Sequence, residues 1–341
     1  MVAEGGTGYG HAVTMARSRK TDGPYEVDPT NPIVTSRGHP ELPLQKSGHA
    51  SMVETQTGQW HLVHLCGRPI NAPGKVEGDL RRCILGRETA IQKMCWTDDG
   101  WLRIADEHDR PTGSNLAQLI VPGPDLPPHP FDQPVSPTGR DDFDSPDLNV
   151  HFSTLRTPPD ESWLSLTARP GHLRLVGRET LFSRHHTSLV GRRVQHLKAT
   201  ATTCVEFHPE RFTQMAGLIA YYDENDFCFL YLYHDEKVGP ALGIFKVINR
   251  NRMQPPNVPI DIGGATRVHL RATLDHQVLR LSYSLDGTTF TDATGDLDAT
   301  RLSDETGYPR FTGSFFGLTA WDLTGQHLRA DFDYFEYLEH E

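Results

Sequence analysis

Ala216-Gly217-Leu218-Ile219-Ala220-Tyr221-Tyr222, then Asp223-Glu224-Asn225-Asp226, then Phe227-Cys228-Phe229-Leu230-Tyr231-Leu232-Tyr233: this stretch decides the fold of the second half of the chain. Two apolar and aromatic runs flank a cluster of turn formers, which is the pattern of a β-hairpin. A second hairpin follows, with Val268–Leu274 and Val278–Ser284 around Asp275-His276-Gln277. Asp286-Gly287 then turns the chain into Thr288-Thr289-Phe290. Short strands joined by regular turns indicate a β-sandwich over residues 141–341.

Toward the N-terminus, residues 1–104 alternate short apolar runs with Gly, Pro, Asn and Asp, as in Gln59–Leu65 and Ile91–Trp96. Thr97-Asp98-Asp99-Gly100 is hairpin chemistry, because Asp and Gly tolerate the positive φ of tight connections. No long helical period is present, so this half also reads as strands. Between the halves, Pro122, Pro124, Pro127, Pro128, Pro130 and Pro134 remove amide donors and hold the backbone extended. Residues 105–140 are expected to be a Pro-rich linker, with Leu119-Ile120-Val121 pointing to partial docking on a neighbouring domain.

A length of 341 residues calls for two cores, and the formal net charge of -11 argues against a surface built for nucleic acid. The 5 cysteines form no C-x-x-C pair and their odd number prevents complete internal pairing, so no disulfide framework is expected. No run of about 18 apolar residues is present, and Met1–Thr7 has neither a basic nor an apolar signal segment. The expectation is a soluble, cytoplasmic protein with no membrane partner.

Three motifs in order, Ala3-Glu4-Gly5-Gly6-Thr7-Gly8-Tyr9, Gly48-His49-Ala50 and Leu85-Gly86-Arg87-Glu88-Thr89-Ala90-Ile91-Gln92, resemble the β-xylosidase branch of glycoside hydrolase family 43. Arg140–Phe143, Ser188–Arg193 and Ala330–Phe335 are similar to that branch's appended concanavalin A-like sandwich. The resemblance implies an all-β chain: the C-terminal blades of a five-bladed β-propeller in residues 1–104, then the sandwich. It implies inverting hydrolysis of xylosidic or arabinosidic bonds, with xylo-oligosaccharide or arabinoxylan fragments as substrates and no organic cofactor.

The family's acid, base and pKa-tuning carboxylates find no counterpart in this sequence, so no catalytic residue is assigned. The chain reads as starting after the acid and is expected to be inactive alone, since inversion needs a protonated carboxyl and a carboxylate roughly 6.5–9.5 Å apart. Glu4 reads as a structural carboxylate. Thr7, His49 and Arg87 match the family's pocket residues, and a guanidinium suits sugar hydroxyls. The competing readings are a turn hydroxyl for Thr7, a satisfied polar residue for His49, and an ion pair of Arg87 with Glu88.

Phe311, preferred over Phe315, matches an aromatic ring that the family's sandwich inserts into the pocket; the alternative is a core ring. Asp142 and Asp331 are candidate calcium ligands, Asp333 being the alternative, on the argument that first and last strands of the sandwich pair. The competing reading is an acidic edge that discourages sheet-to-sheet association. Open blades would expose strand edges, which favours a homo-oligomer. The rival function is a noncatalytic carbohydrate-binding or scaffold protein using Tyr221, Tyr231 and Tyr233 of the sandwich.

Overall fold

The computed structural model describes residues 1–71, 81–128, 136–253, 258–307 and 310–340. Two compact units divide the chain between Pro134 and Val135. Among the described residues, helix is confined to two 3-10 turns, Ala299–Arg301 and Asp304–Thr306. All five cysteines are buried thiols.

In the first unit, strands Gln45–Glu54, Trp60–Gly67, Glu88–Trp96 and Leu102–Ile104 pair in sequence order as an antiparallel meander, the form of a propeller blade. Met94 pairs with Trp60 and Trp96 with Leu102. The turn between the last two strands closes as expected: Gly100 has φ 77, and its amide donates to the Thr97 carbonyl at 2.8 Å. A three-stranded sheet joins Val2–Glu4, Ala12–Thr14 and Val34–Thr35. Val13, Val34, Leu62, Met94, Trp101 and Ile104 form the core between them.

The expected linker begins later than residue 105. The Ala105 amide donates to Lys93 O (2.8 Å), the Thr35 amide to Asn115 O (2.9 Å) and the Ala117 amide to Thr35 O (2.9 Å), so this stretch belongs to the first unit. Gln118 adds a backbone bond to Gln92 Oε1 at 3.1 Å. The docking is done by backbone pairing and the small Ala117, not by the apolar run, in which Ile120 is 86% exposed. Pro130 and Pro134 lie outside the described residues.

The second unit contains two antiparallel sheets. One is ordered Leu164–Ser165, Leu173–Val176, Arg329–Glu339, Lys198–Glu206, Arg267–Asp275, Val278–Ser284 and Thr291–Asp292. The other is ordered Phe152–Thr154, Ser188–Arg193, Phe315–Asp322, Gln214–Asp223, Asp226–Asp235, Gly239–Ile248 and Asn251–Met253. The hairpin quoted first pairs Leu218 with Leu230 and Tyr221 with Phe227. Both its faces are buried: Leu218, Leu230 and Leu232 on one, and Ile219, Phe227, Phe229 and Tyr231 on the other, where Trp321 packs at 4.9 Å from Phe229. Burial of both faces explains why the sequence runs continuously apolar here instead of alternating.

Candidate functional site

The Glu4-Gly5-Gly6-Thr7 segment leaves the strand Val2–Glu4 in a turn where Gly5 and Gly6 have φ 75 and 66. A Cβ on Gly5 would lie 1.8 Å from the Gly10 carbonyl oxygen, so only glycine fits. The turn presents its Thr7 carbonyl to Arg87, whose Nη2 donates to it. Arg87 is 8% exposed, and the neighbouring Glu88 is already taken up by Arg68 through Nε (2.9 Å) and Nη2 (2.7 Å).

His49 lies on the edge strand Gln45–Glu54, whose register against Trp60–Gly67 shifts twice, on either side of Gly48. Lys46 and His49 have φ 57 and 52, uncommon for residues with a side chain. Such bulges re-aim side chains and recur beside functional sites. Gly48 is required by close packing: a Cβ there would meet His11 Cδ2 at 2.1 Å. The imidazole of His11 thus lies against the Gly48 backbone, and His49, next along the bulge, is exposed.

His11 connects the motifs. Burial pushes its pKa below the ordinary value, the Gly6 and Glu4 carbonyls oppose that, and the charges of Arg87 and His49 push it further down. His64 behind it is also lowered, by burial first, with the Leu65 carbonyl opposing and His11 adding to the shift. Its Nε2 lies 3.3 Å from Gln92 Nε2. Arg87 thus bonds the Thr7 carbonyl, and the charges of Arg87 and His49 both bear on the buried His11.

Sequence reasoning missed His11, Tyr9 and Lys46. Lys46 is 3% exposed with Nζ 4.9 Å from the centre of the Tyr9 ring, and the Tyr9 hydroxyl donates to Arg81 O at 3.2 Å. The available signal was proximity in sequence: Tyr9 and His11 follow the Gly-Gly turn directly, and Lys46 precedes Gly48 by two positions. A fixed guanidinium, a neutral buried imidazole and an exposed histidine can donate to and accept from hydroxyl groups. They do not supply the paired carboxylates of acid-base hydrolysis.

In the second unit, Phe311 is 50% exposed while Phe315 begins the strand Phe315–Asp322. The loop is tied down on both sides of Phe311. Arg310 Nη1 donates to Asp226 Oδ2 at 2.7 Å and Nη2 to Asp223 Oδ1 at 3.0 Å, and the Thr312 amide donates to the Tyr222 hydroxyl at 3.2 Å.

The candidate calcium ligands are engaged in ion pairs. The strand Gly139–Asp141 does pair with Arg329–Glu339, but the register sets Asp141 opposite Phe335 and Asp331 opposite Arg174 on another strand. Arg174 grips Asp331 through Nε (2.6 Å) and Nη2 (2.7 Å), and Arg169 Nη1 adds a contact at 3.0 Å. Asp142 is exposed and accepts from Arg140 Nε at 2.6 Å, and Asp333 accepts from Arg267 Nη2 at 2.5 Å. Among the described residues no cluster of three or more His, Cys, Asp or Glu is placed to hold a metal ion.

Comparison with known proteins agrees with this architecture. Residues 1–102 match glycosyl hydrolases family 43, and residues 140–338 match the beta xylosidase C-terminal concanavalin A-like domain. A Vibrio sp. protein named xylan 1,3-beta-xylosidase is 46% identical, the match covering 100% of this chain and 62% of the relative. The beta-xylosidase of Bacillus subtilis (strain 168) is 41% identical over 99% of this chain and 62% of its own length. The crystal structure of xylan beta-1,4-xylosidase from Bacillus halodurans C-125 superposes with a TM-score of 0.90 at 45% identity, covering 99% of this chain and 62% of that one. The chain thus spans 62% of the length of these relatives. With propeller-type blades in the first unit and a concanavalin A-like sandwich in the second, it belongs to glycoside hydrolase family 43.

Proposed function

We propose that this chain forms part of a β-xylosidase-type glycosidase that cleaves xylosidic bonds of xylo-oligosaccharides or arabinoxylan fragments with inversion. Thr7, His49 and Arg87 bind the sugar. The observation that carries this reading is the doubly bulged strand around Gly48, which sets His49 beside His11 while Arg87 is fixed on the Gly5-Gly6 turn. The names of the relatives support the substrate class.

In this reading the acid and base carboxylates are not among the chain's residues, and the chain by itself does not turn over. Acid-base help contributes roughly 10²- to 10⁴-fold per group, so its loss leaves hydrolysis at the buffer rate. The test is to assay the purified chain on xylobiose and 4-nitrophenyl-β-D-xyloside. The assay is then repeated after adding, as a second polypeptide, the part of the B. subtilis relative that this chain does not match. Turnover only in the second assay, with inversion seen by anomeric proton NMR and loss on Arg87→Ala, is the expected result. Hydrolysis by the chain alone, abolished by Glu4→Gln, would show instead that it carries its own acid.

A further inference from the structure

The second unit holds a cavity of about 380 Å³ that the reaction does not use. Met215, Tyr231, Tyr233 and Phe245 contribute buried or half-buried side chains to it, Phe212 a ring that is 58% exposed, and the turn Asp235-Glu236-Lys237 a polar rim. The volume lies in the range of small-ligand sites, and an apolar lining with a few polar groups is their usual composition.

What it can hold follows from the strands beneath. Asp226–Asp235 is paired on both sides, by Gln214–Asp223 and Gly239–Ile248, and the latter pairs further with Asn251–Met253 and Ile260–Asp261. Among the described residues the strand Asp226–Asp235, which carries Tyr231 and Tyr233, has a partner strand on each side, so an extended peptide cannot add to that strand there. The rim carries two carboxylates and one ammonium, which disfavours phosphate or another polyanion.

Ring faces with a rim of hydrogen-bonding groups suit a neutral ligand with apolar C–H faces and outward hydroxyls. Tyr231 lies against Gly243, where a Cβ would meet its hydroxyl at 2.6 Å. Burial pushes the Tyr231 phenol up to about 12, so it remains a hydrogen-bond donor throughout the neutral range. The Tyr233 hydroxyl reaches Asp235 Oδ2 at 3.4 Å, and Asp235 Oδ1 is oriented by the Lys237 and Val238 amides at 2.9 and 3.3 Å.

We propose that this cavity is a second saccharide-binding site, separate from the Thr7–His49–Arg87 group, and that it takes a short xylo-oligosaccharide. The choice of sugar rests on the function proposed above; the site itself rests on the cavity. The test is titration of the whole chain with xylotriose, followed by calorimetry and by NMR of the aromatic protons, in the native protein, Phe212→Ala, Asp235→Asn and Arg87→Ala. Phe212 is exposed, so its removal leaves folding intact. Loss of one stacking ring is expected to weaken the second site roughly 2- to 10-fold, with Arg87→Ala leaving that component unchanged.

Binding lost only in Arg87→Ala, and indifferent to Phe212→Ala and Asp235→Asn, would overturn the second site and leave the first reading standing. Binding that depends on Phe212 and not on Arg87 would do the reverse. No saturable binding, or a concentration-dependent self-association that Phe212→Ala removes, would overturn the proposal, the latter by showing a protein interface.

Discussion

Two strands of equal length, Gln45–Glu54 and Asp226–Asp235, each of 10 residues, meet opposite demands. The second is hydrogen-bonded on both sides, and its first eight residues are buried. The first lies at a sheet edge, slips register twice, and holds two side-chain-bearing residues at positive φ. Regular pairing devotes every side chain to packing. Broken pairing frees side chains from the sheet's alternation and can aim consecutive residues into one site.

The largest expected effect breaks the regular strand. Phe229 is fully buried among Tyr231 and Trp321, and Phe229→Ala should cost about 3–5 kcal/mol of the second unit's stability. On the irregular strand Val53 is 48% exposed, so Val53→Ala should change stability by no more than about 0.5 kcal/mol. Denaturant titration read by near-UV dichroism measures both. Equal losses would remove the contrast.

Next comes Gly48→Ala. The added methyl has to displace the buried His11 ring, which should cost about 1–3 kcal/mol and move His49 off its aim. Sugar binding to the first unit should fall further than stability does. A variant with native stability and native xylobiose affinity would show that the bulge tolerates a side chain, and the site argument would lose its physical basis.

These two strands also mark how far the sequence could be read. The hairpin was legible because its apolar runs and its turn residues agree, and the Thr97–Gly100 turn because Gly100 sits where positive φ falls. The family motifs singled out Thr7, His49 and Arg87 as candidates. His11 and Lys46 were not legible, because their placement depends on a backbone irregularity and a close ring contact that no periodicity encodes. The linker was drawn too early for a related reason: residues 105–118 pair through backbone groups, and backbone pairing leaves little mark on composition. The ion pair of Asp331 with Arg174 was not legible, because an acidic residue on a paired strand looks the same whether its partner is a cation or a guanidinium.

That last point gives a smaller test. A calcium ion would have to displace both Arg174 and Arg169 from Asp331, so millimolar calcium or a chelator should leave the thermal midpoint of the second unit unchanged. Asp331→Asn should lower stability by about 1–3 kcal/mol, by leaving the half-buried Arg174 guanidinium without its charged acceptor. A calcium-dependent rise in midpoint that Asp331→Asn removes would support the metal reading.

The finest contrast is in how the units respond to mild acid. In the first unit His11, His61 and His64 are all pushed below the ordinary histidine value of 6.5, burial being the largest cause in each. A histidine with a depressed folded-state pKa stays neutral in the native chain while its unfolded counterpart takes up a proton. Its stability contribution is therefore complete above about pH 6.5 and falls as the pH drops below that value.

Carboxylate pairing dominates the corresponding part of the second unit. Burial would raise Asp331, but Arg174 and Arg169 outweigh it and hold it below 3.8; the Arg169 hydrogen bond holds Glu206 below 4.5 against its burial. Groups of that kind keep their contribution through mild acid and lose it only as the pH falls through their lowered folded-state values. His269 shares the histidine direction, again through burial, so the contrast is one of degree. Amide exchange resolved by peptide, corrected for intrinsic rates, should show protection in Trp60–Gly67 declining from pH 7 to 5.5, while protection in Asp226–Asp235 holds. Parallel decline in both strands would mean that the three buried histidines of the first unit do not set its response to acid, and His11 would lose its assignment as the neutral centre of the site.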